Sequence, residues 1–352
     1  MITIPHNIYI HVPFCMSKCN YCAFFSRACA NPDWCDYTTN ICTEITQWAK
    51  KLGPTDVPTV FFGGGTPSLM PTQCFKQIID TIRQNFNLMA DAEITMESNP
   101  GTLDMTRLQQ FQQYGANRLS VGVQSLDDDK LQFLGRRHSA NDARRLIDDA
   151  QKLGLRVSGD FIYGLPGENV RDVIHMCEQI NEMGLKHCSV YELTIEPNTP
   201  FGKMNLHMPD NDTMAQMYVA IGDNLAIPRY EVSNYAIPGQ ECKHNQNIWD
   251  GDAYIGIGVG AAGRVFIDGK WYEQMGGGMR CEELGADARA TEKVITGMRT
   301  VRGCKLTPDV QGIIDNDWIN ANQHLVKIKN NRIATTDAGM IVLDEIVVKM
   351  VK

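Results

Sequence analysis

The sequence has no apolar run long enough to cross a bilayer as a helix. It has no basic stretch leading into an apolar one after Met1, so it does not read as a secretory leader, and a cytoplasmic location is the expectation. It lacks a basic excess. Lys and Arg number 33 against 41 Asp and Glu, a formal net charge of −8, and such a surface does not invite nucleic acid. Low-complexity tracts and sequence repeats are also missing. What remains is a 352-residue chain, 43% hydrophobic and 21% charged, long enough for one large domain with an appendage or for two ordinary ones.

Cysteine, by contrast, is plentiful, at twelve residues. Without a leader, metal binding or reduced core thiols are better readings than disulfides. Three of the twelve fall within eight residues, Cys15, Cys19 and Cys22, and the rest are scattered.

The hydrophobic pattern alternates between two periods. Strands are expected at 7–11, 59–62, 93–97, 118–123, 155–163 and 187–193. Helices are expected at 33–52, 71–85, 104–114, 141–153 and 170–183, with Gly115, Gly154 and Gly184 placed to end the last three. Strands alternating with helices predict a parallel sheet with helical crossovers, here an α/β fold of the incomplete (βα)6 barrel kind. After about residue 200 the alternation stops. The expected division is a barrel over 1–200 and a smaller mixed α/β appendage over 201–352. Ligands in such sheets sit at the carboxyl ends of the strands. The unusual residues follow those ends: the cysteines after the first strand, Gly63-Gly64-Gly65-Thr66-Pro67 after the second, and Glu97 at the end of the third.

Thiolates are the usual ligands of iron-sulfur clusters, and four make a closed site. The spacing Cys15-x3-Cys19-x2-Cys22 leaves one iron of a [4Fe-4S] cluster open, as a catalytic metal site requires. A zinc site completed by His6, His11 or Cys29 is the alternative, although zinc ligands more often come as paired C-x2-C units. Glycines in the second loop let backbone approach a ligand closely. A carboxylate at a strand end, such as Glu97, is costly to bury without a partner, and ribose hydroxyls would serve.

The run Tyr9-Ile-His-Val-Pro-Phe-Cys-Met-Ser-Lys-Cys-Asn-Tyr-Cys22 resembles the radical S-adenosylmethionine (SAM) superfamily, in its oxygen-independent coproporphyrinogen III oxidase-like branch. That resemblance implies a [4Fe-4S] cluster on Cys15, Cys19 and Cys22 with SAM at the open iron. It implies SAM contacts from Tyr9, Tyr21, Gly64, Gly65, Thr66, Glu97, Gln124, Arg136 and Asp160. Read singly, Gln124, Arg136 and Asp160 are equally well satisfied polar or surface residues, and the two tyrosines core aromatics.

Two features separate members of the branch. The oxidase has a further cysteine two residues after the third, where this sequence has Phe24, and it has an arm before the cluster, where this sequence reaches its first strand within about seven residues. Both resemble HemW-type heme chaperones instead, as does Cys242-Lys243-His244-Asn245-Gln246-Asn247-Ile248-Trp249. The implied function is to bind heme as cargo and pass it to an acceptor protein, membrane-bound or not, with an electron donor for the cluster. Oxidative decarboxylation of coproporphyrinogen III is the alternative. His244 is the candidate heme ligand, since imidazole is a common axial ligand. The plain alternative is a histidine that holds the appendage to the barrel. Gly258-x-Gly260-x-x-Gly263 imitates a dinucleotide loop, but a strand, an Asp268-Gly269 turn and another strand are expected after it, not a helix.

Overall fold

The computed structural model describes residues 4–352. Its centre is a twelve-stranded mixed sheet. Six strands alternate with helices through the first half: β1 (His6–Val12), β2 (Asp56–Gly64), β3 (Asn87–Ser98), β4 (Arg118–Gln124), β5 (Arg156–Tyr163) and β6 (His187–Glu192). Each pairs in parallel with the next, with Ile8 opposite Val60, Thr95 opposite Arg118 and Phe161 opposite Val190. The crossovers carry helices α1 (Trp34–Leu52), α2 (Thr72–Asn85), α3 (Met105–Gln113), α4 (Ala140–Lys152) and α5 (Val170–Glu182).

The local chemistry explains these boundaries. Asp33 and Asp104 accept from backbone N–H groups of the first turns of α1 and α3, and Ser139 with Asp142 and Asn169 with Asp172 form reciprocal capping boxes on α4 and α5. Gly154 stops the chain after α4 at φ 76°, in the left-handed region a side chain disfavours. The buried stripes, such as Phe75, Ile78, Ile79 and Ile82 on α2, pack on Phe62 and Phe111. Each fully buried side chain of this size contributes roughly 1.5–3 kcal/mol.

The sheet does not end where the alternation does. Strand β9 (Ala253–Ile257) adds in parallel to the free side of β1, so the parallel part has seven strands where six were expected. Its signal is short and lies far along the chain, among antiparallel pieces. From β9 the sheet continues antiparallel through β10 (Gly263–Ile267), β11 (Lys270–Gln274) and β12 (Cys281–Glu283). On the opposite edge, β8 (Asn234–Ala236) pairs with β6, and β7 (Arg229–Glu231) pairs with β8. The two ends do not pair, so the barrel is open. Asp268 and Gly269, both at positive φ, turn β10 into β11, and the dinucleotide imitation is a hairpin.

Met217, Ile221, Tyr235, Ile255 and Val265 share one core with the barrel residues, so the division expected at residue 200 falls within a continuous sheet. A second core begins with Val294 and runs to Met350, around a three-stranded sheet of Cys304–Lys305, Val326–Lys329 and Arg332–Thr335. No described helix is long and apolar enough to cross a membrane.

Candidate functional site

The carboxyl ends of the parallel strands open into a cavity of about 380 Å³. Cys15, Cys19 and Cys22 line it, on the loop that leaves β1, and all three are free thiols. Tyr21, Gly64, Gly65, Glu97, Gln124, Arg136 and Asp160 line the same cavity. Residues separated by up to 145 positions in sequence thus meet at one mouth.

The loop is fixed to the barrel at several points. Asn20 donates from its backbone N–H to the Leu134 carbonyl (3.1 Å) and from its side chain to that of Phe133 (2.8 Å). Arg136 reaches from the following turn to the Asn99 side chain (2.5 Å), the Gly122 carbonyl (2.8 Å) and the Cys19 sulfur (3.4 Å). The Cys22 thiol is pushed up by burial, the Phe24 backbone opposes, and the neighbouring Cys19 and Cys15 add to the rise.

The glycine loop fits against the cysteine loop. Gly65 donates to the Val12 carbonyl (2.7 Å) and Thr66 to that of Phe14 (2.8 Å). A Cβ on Gly65 would lie 2.6 Å from the Phe14 oxygen and 3.0 Å from the Cys15 sulfur. Gly64, at φ 111°, donates to the Glu97 carboxylate (3.0 Å), and a Cβ there would meet the His11 ring at 2.5 Å. Thr66 is buried behind the loop beside Asn99, facing a smaller cleft with Cys19 and Arg136. It supports the site from outside the main cavity.

Burial raises Glu97 to about 7, and nearby Asp160 adds to that against the Gly64 N–H. Asp160 is raised by burial too, while the Ser120 (2.8 Å) and Ser158 (3.2 Å) hydroxyls donate to its oxygens. A desolvated carboxylate pair is well matched to hydroxyl donors of a ligand. Gln124 holds φ 66° at a bulge where β4 slips against β5. A non-glycine residue there carries strain, which clusters at ligand sites.

A second cavity of about 290 Å³ lies deeper and shares Glu97, Ser120 and Asp160 with the first. Tyr9 lines this one rather than the mouth, and its hydroxyl reaches His11 Nδ1 (3.1 Å). At its floor is His244, on α6 (Lys243–Trp249). That helix plugs the amino end of the barrel. Buried Glu93 accepts from the backbone N–H of Lys243 (3.1 Å) and His244 (3.0 Å), which suits a carboxylate at a helix N-terminus, and is paired with Arg156 (2.7 Å). Thr59 donates to Asn7 (2.8 Å), so its 2.7 Å contact to His244 Nδ1 makes that nitrogen the donor. His244 Nε2 then carries a lone pair with no protein partner.

The structure thus places His244, the expected heme ligand, 2% exposed at the barrel floor, with Nδ1 tying its helix to Thr59 and Nε2 facing the cavity. The zinc alternative fails on its fourth ligand. His6 is engaged with the Ile4 carbonyl and the Phe266 N–H toward the other end of β1. His11 donates from Nε2 to the Phe25 carbonyl (2.7 Å) and accepts from Tyr9. Cys29 does not line the cavity. Among the described residues no three ligating side chains gather closely enough for a single ion.

Sequence reasoning missed Arg118, which is buried near Glu93 and Asp160. It also missed Asn99, which ties Arg136 to Thr66. Both occupy inward positions on or next to strands, and that is their only sequence signal.

A family model for the radical SAM superfamily matches residues 9–180. The heme chaperone HemW of Escherichia coli (strain K12) is 40% identical over 276 residues, covering 76% of this chain and 72% of that protein. HemW of Bacillus subtilis (strain 168) is 34% identical over 74% of this chain and 71% of its own. HemW of Mycobacterium tuberculosis (strain H37Rv) is 32% identical over 97% of this chain and 94% of its own. Among solved structures, coproporphyrinogen III oxidase (HemN) from Escherichia coli superposes with a TM-score of 0.81 at 20% identity, over 98% of this chain and 90% of that one. That likeness confirms the α/β barrel. With the site and these relatives together, the chain belongs to the radical SAM superfamily and, within it, to the HemW family.

Proposed function

We propose that this protein is a heme chaperone that binds heme and passes it to an acceptor protein. The observation that carries the reading is its identity of 32–40% to HemW proteins over most of its length. The oxidase shares its fold but only 20% of its residues. The position two beyond Cys22, a cysteine in the oxidase pattern, is here Phe24, 68% exposed.

In this reading Cys15, Cys19 and Cys22 hold a [4Fe-4S] cluster, and the residues present fit it. The three thiols face one cavity, Arg136 stands at the Cys19 sulfur, and the glycine loop leaves space where a Cβ would collide with Cys15. Glu97, Gln124, Arg136, Asp160 and Tyr21 then line the space for SAM, with Gly64 and Gly65 presenting backbone to it and Tyr9 below. When bound, the cluster supplies an electron to the SAM sulfonium. This chain's residues orient the ligand, keep water out of the barrel and hold the cluster loop on Asn20 and Arg136.

The experiment is an anaerobic titration of the reconstituted protein with heme, followed by incubation with SAM and coproporphyrinogen III. Saturable binding near one equivalent, with no vinyl-bearing porphyrin product, is expected. Product at many turnovers would replace the chaperone by the oxidase. Replacing all three cysteines with serine should abolish the visible thiolate-to-iron absorption, and full iron content in that variant refutes the cluster assignment.

A further inference from the structure

His244 is buried at the barrel floor, whereas another surface lies open to a ligand. A groove of about 640 Å³, larger than either barrel cavity, lies against the cysteine loop. Its walls are residues 23–27 on one side, the first turns of α1 on the other, and Val259 at one end. The volume is that of ordinary ligand pockets, ~300–1,000 Å³.

Three of its side chains expose apolar surface to an unusual degree. Phe24 and Val259 are each 68% exposed and Phe25 is 58% exposed, and among the described large hydrophobics only Val348 is more open. Contiguous apolar exposure on one concave face marks a binding surface. The face is also preorganised. The Phe25 carbonyl accepts from His11 Nε2, and the Phe25 ring lies so close to Gly260 that a Cβ there would sit 2.4 Å from it. Tyr37 on the opposite wall donates to the His11 carbonyl (2.9 Å).

The charges divide between the two walls. Lys18 and Arg27 stand on the loop side. Lys18 makes only long contacts to the carbonyls of Phe24 (3.3 Å) and Ser26 (3.4 Å), and Arg27 lies over the Phe14 ring (5.3 Å). Neither meets a carboxylate among the described residues. The acids on the helix side are engaged: Asp33 caps α1, Asp36 accepts from Asn40 (3.0 Å), and Glu44 accepts from the backbone of Gly258 (3.0 Å) and Gly278 (2.6 Å). A flat apolar ligand with anionic groups on one edge complements this arrangement.

We propose that heme docks in this groove, its ring against Phe24, Phe25 and Val259 and its propionates at Lys18 and Arg27. The proposal rests on the heme-carrier reading above and names the site for it. None of the described lining residues is His, Cys or Met, and the hydroxyl of Tyr37 is engaged with the His11 carbonyl. The groove therefore grips the porphyrin, and the iron keeps its axial positions for the ligands of the acceptor. The groove and the SAM cavity share Lys18, Ala23, Phe24 and Ser26, so cargo and cluster lie on two faces of one loop.

The test uses the full chain with its cluster intact, titrated anaerobically with hemin and separately with iron-free protoporphyrin IX. Wild type should bind both saturably, with affinities within about threefold of each other. Val259→Glu and Arg27→Glu should each weaken both ligands by about tenfold or more, with cluster absorption and SAM binding unchanged. His244→Gln should keep its heme affinity. Heme binding that these two groove variants leave intact, or that protoporphyrin cannot reproduce, overturns the placement while the heme-carrier reading stands. So does a Val259→Glu chain that binds heme normally but loses a dimer on gel filtration, since the face is then a self-association surface. No saturable heme binding by wild type overturns the reading itself.

Discussion

His244 makes a quantitative prediction about acid stability. Its ring is 2% exposed, and burial lowers its pKa from the ordinary 6.5 to about 4, with Glu93 opposing and Arg118 adding to the fall. The folded chain therefore holds the ring neutral where the unfolded chain protonates it. For a base depressed on folding, the stability is complete above the unfolded value and is lost as pH falls from about 6.5 toward 4. The full loss is about 3 kcal/mol, and about 2 kcal/mol of it has gone by pH 5. Urea unfolding under anaerobic conditions at pH 7.5 and pH 5.0 measures it. The wild-type loss between these two values should exceed that of His244→Gln by about 2 kcal/mol. His6, His138 and His187, also depressed by burial, contribute equally to both proteins and cancel in the difference. Equal losses in the two proteins would show that the ring is reached by water or protonated in place, and the closed barrel floor would be wrong.

Three further substitutions test the mouth of the barrel. Gly64→Ala must place a Cβ 2.5 Å from the His11 ring at φ 111°, so we expect a loss of roughly 2–3 kcal/mol, read as a lowered unfolding midpoint, together with weakened SAM binding. Gln124→Gly removes the strain of φ 66°, so stability should hold or rise by about 1 kcal/mol while SAM affinity falls; equal falls in both would deny the residue a ligand role. Glu97, raised to about 7, is destabilising when ionised, and that cost grows as pH rises from its ordinary 4.5 through 7. Glu97→Gln should thus stabilise the SAM-free chain at pH 8, by up to about 3 kcal/mol before solvent screening, and leave it little changed at pH 4. A calorimetric melt at both values decides the point.

Much of this architecture was legible because it is local. The six strands before residue 200 announce themselves by short apolar runs, and three of their crossover helices by Gly115, Gly154 and Gly184 at their ends, whereas the caps Asp33, Ser139 and Asn169 emerged only from the structure. The site was legible for a related reason. In a parallel sheet every strand delivers its following loop to the same end, so the cysteines, the glycines and Glu97 had to meet once the alternation was read. What stayed hidden is whatever depends on a partner far along the chain. Nothing in Ala253–Ile257 says that it pairs with β1, about 247 residues earlier. Nothing in Cys242–Trp249 says that the start of its helix will meet the carboxylate of Glu93.

The Gly258–Gly263 segment shows how the two kinds of information combine. Its spacing imitates a phosphate loop, and the strand pattern after it was enough to reject that reading. The positive purpose of its glycines is visible only in three dimensions. Gly258 at φ 96° donates to Glu44, and Gly260 at φ 90° gives the Phe25 ring the space a methyl would take. A column of neighbouring rings, mostly tilted against one another, then runs from that ring through His11, Tyr9 and Phe61 to His244, with successive ring centroids 5.9, 5.9, 6.1 and 5.1 Å apart. Its hydrogen-bonded part, Tyr9 hydroxyl to His11 to the Phe25 carbonyl, joins the floor of the SAM site to the wall of the exposed groove. A ligand that moves Tyr9 therefore acts on Phe25 through one imidazole. His11→Phe removes both hydrogen bonds while keeping an aromatic ring, so it should uncouple heme affinity from SAM occupancy. Heme affinity measured with and without SAM would then change in the wild type and stay constant in the variant, and an unchanged wild type would mean that the column serves packing alone.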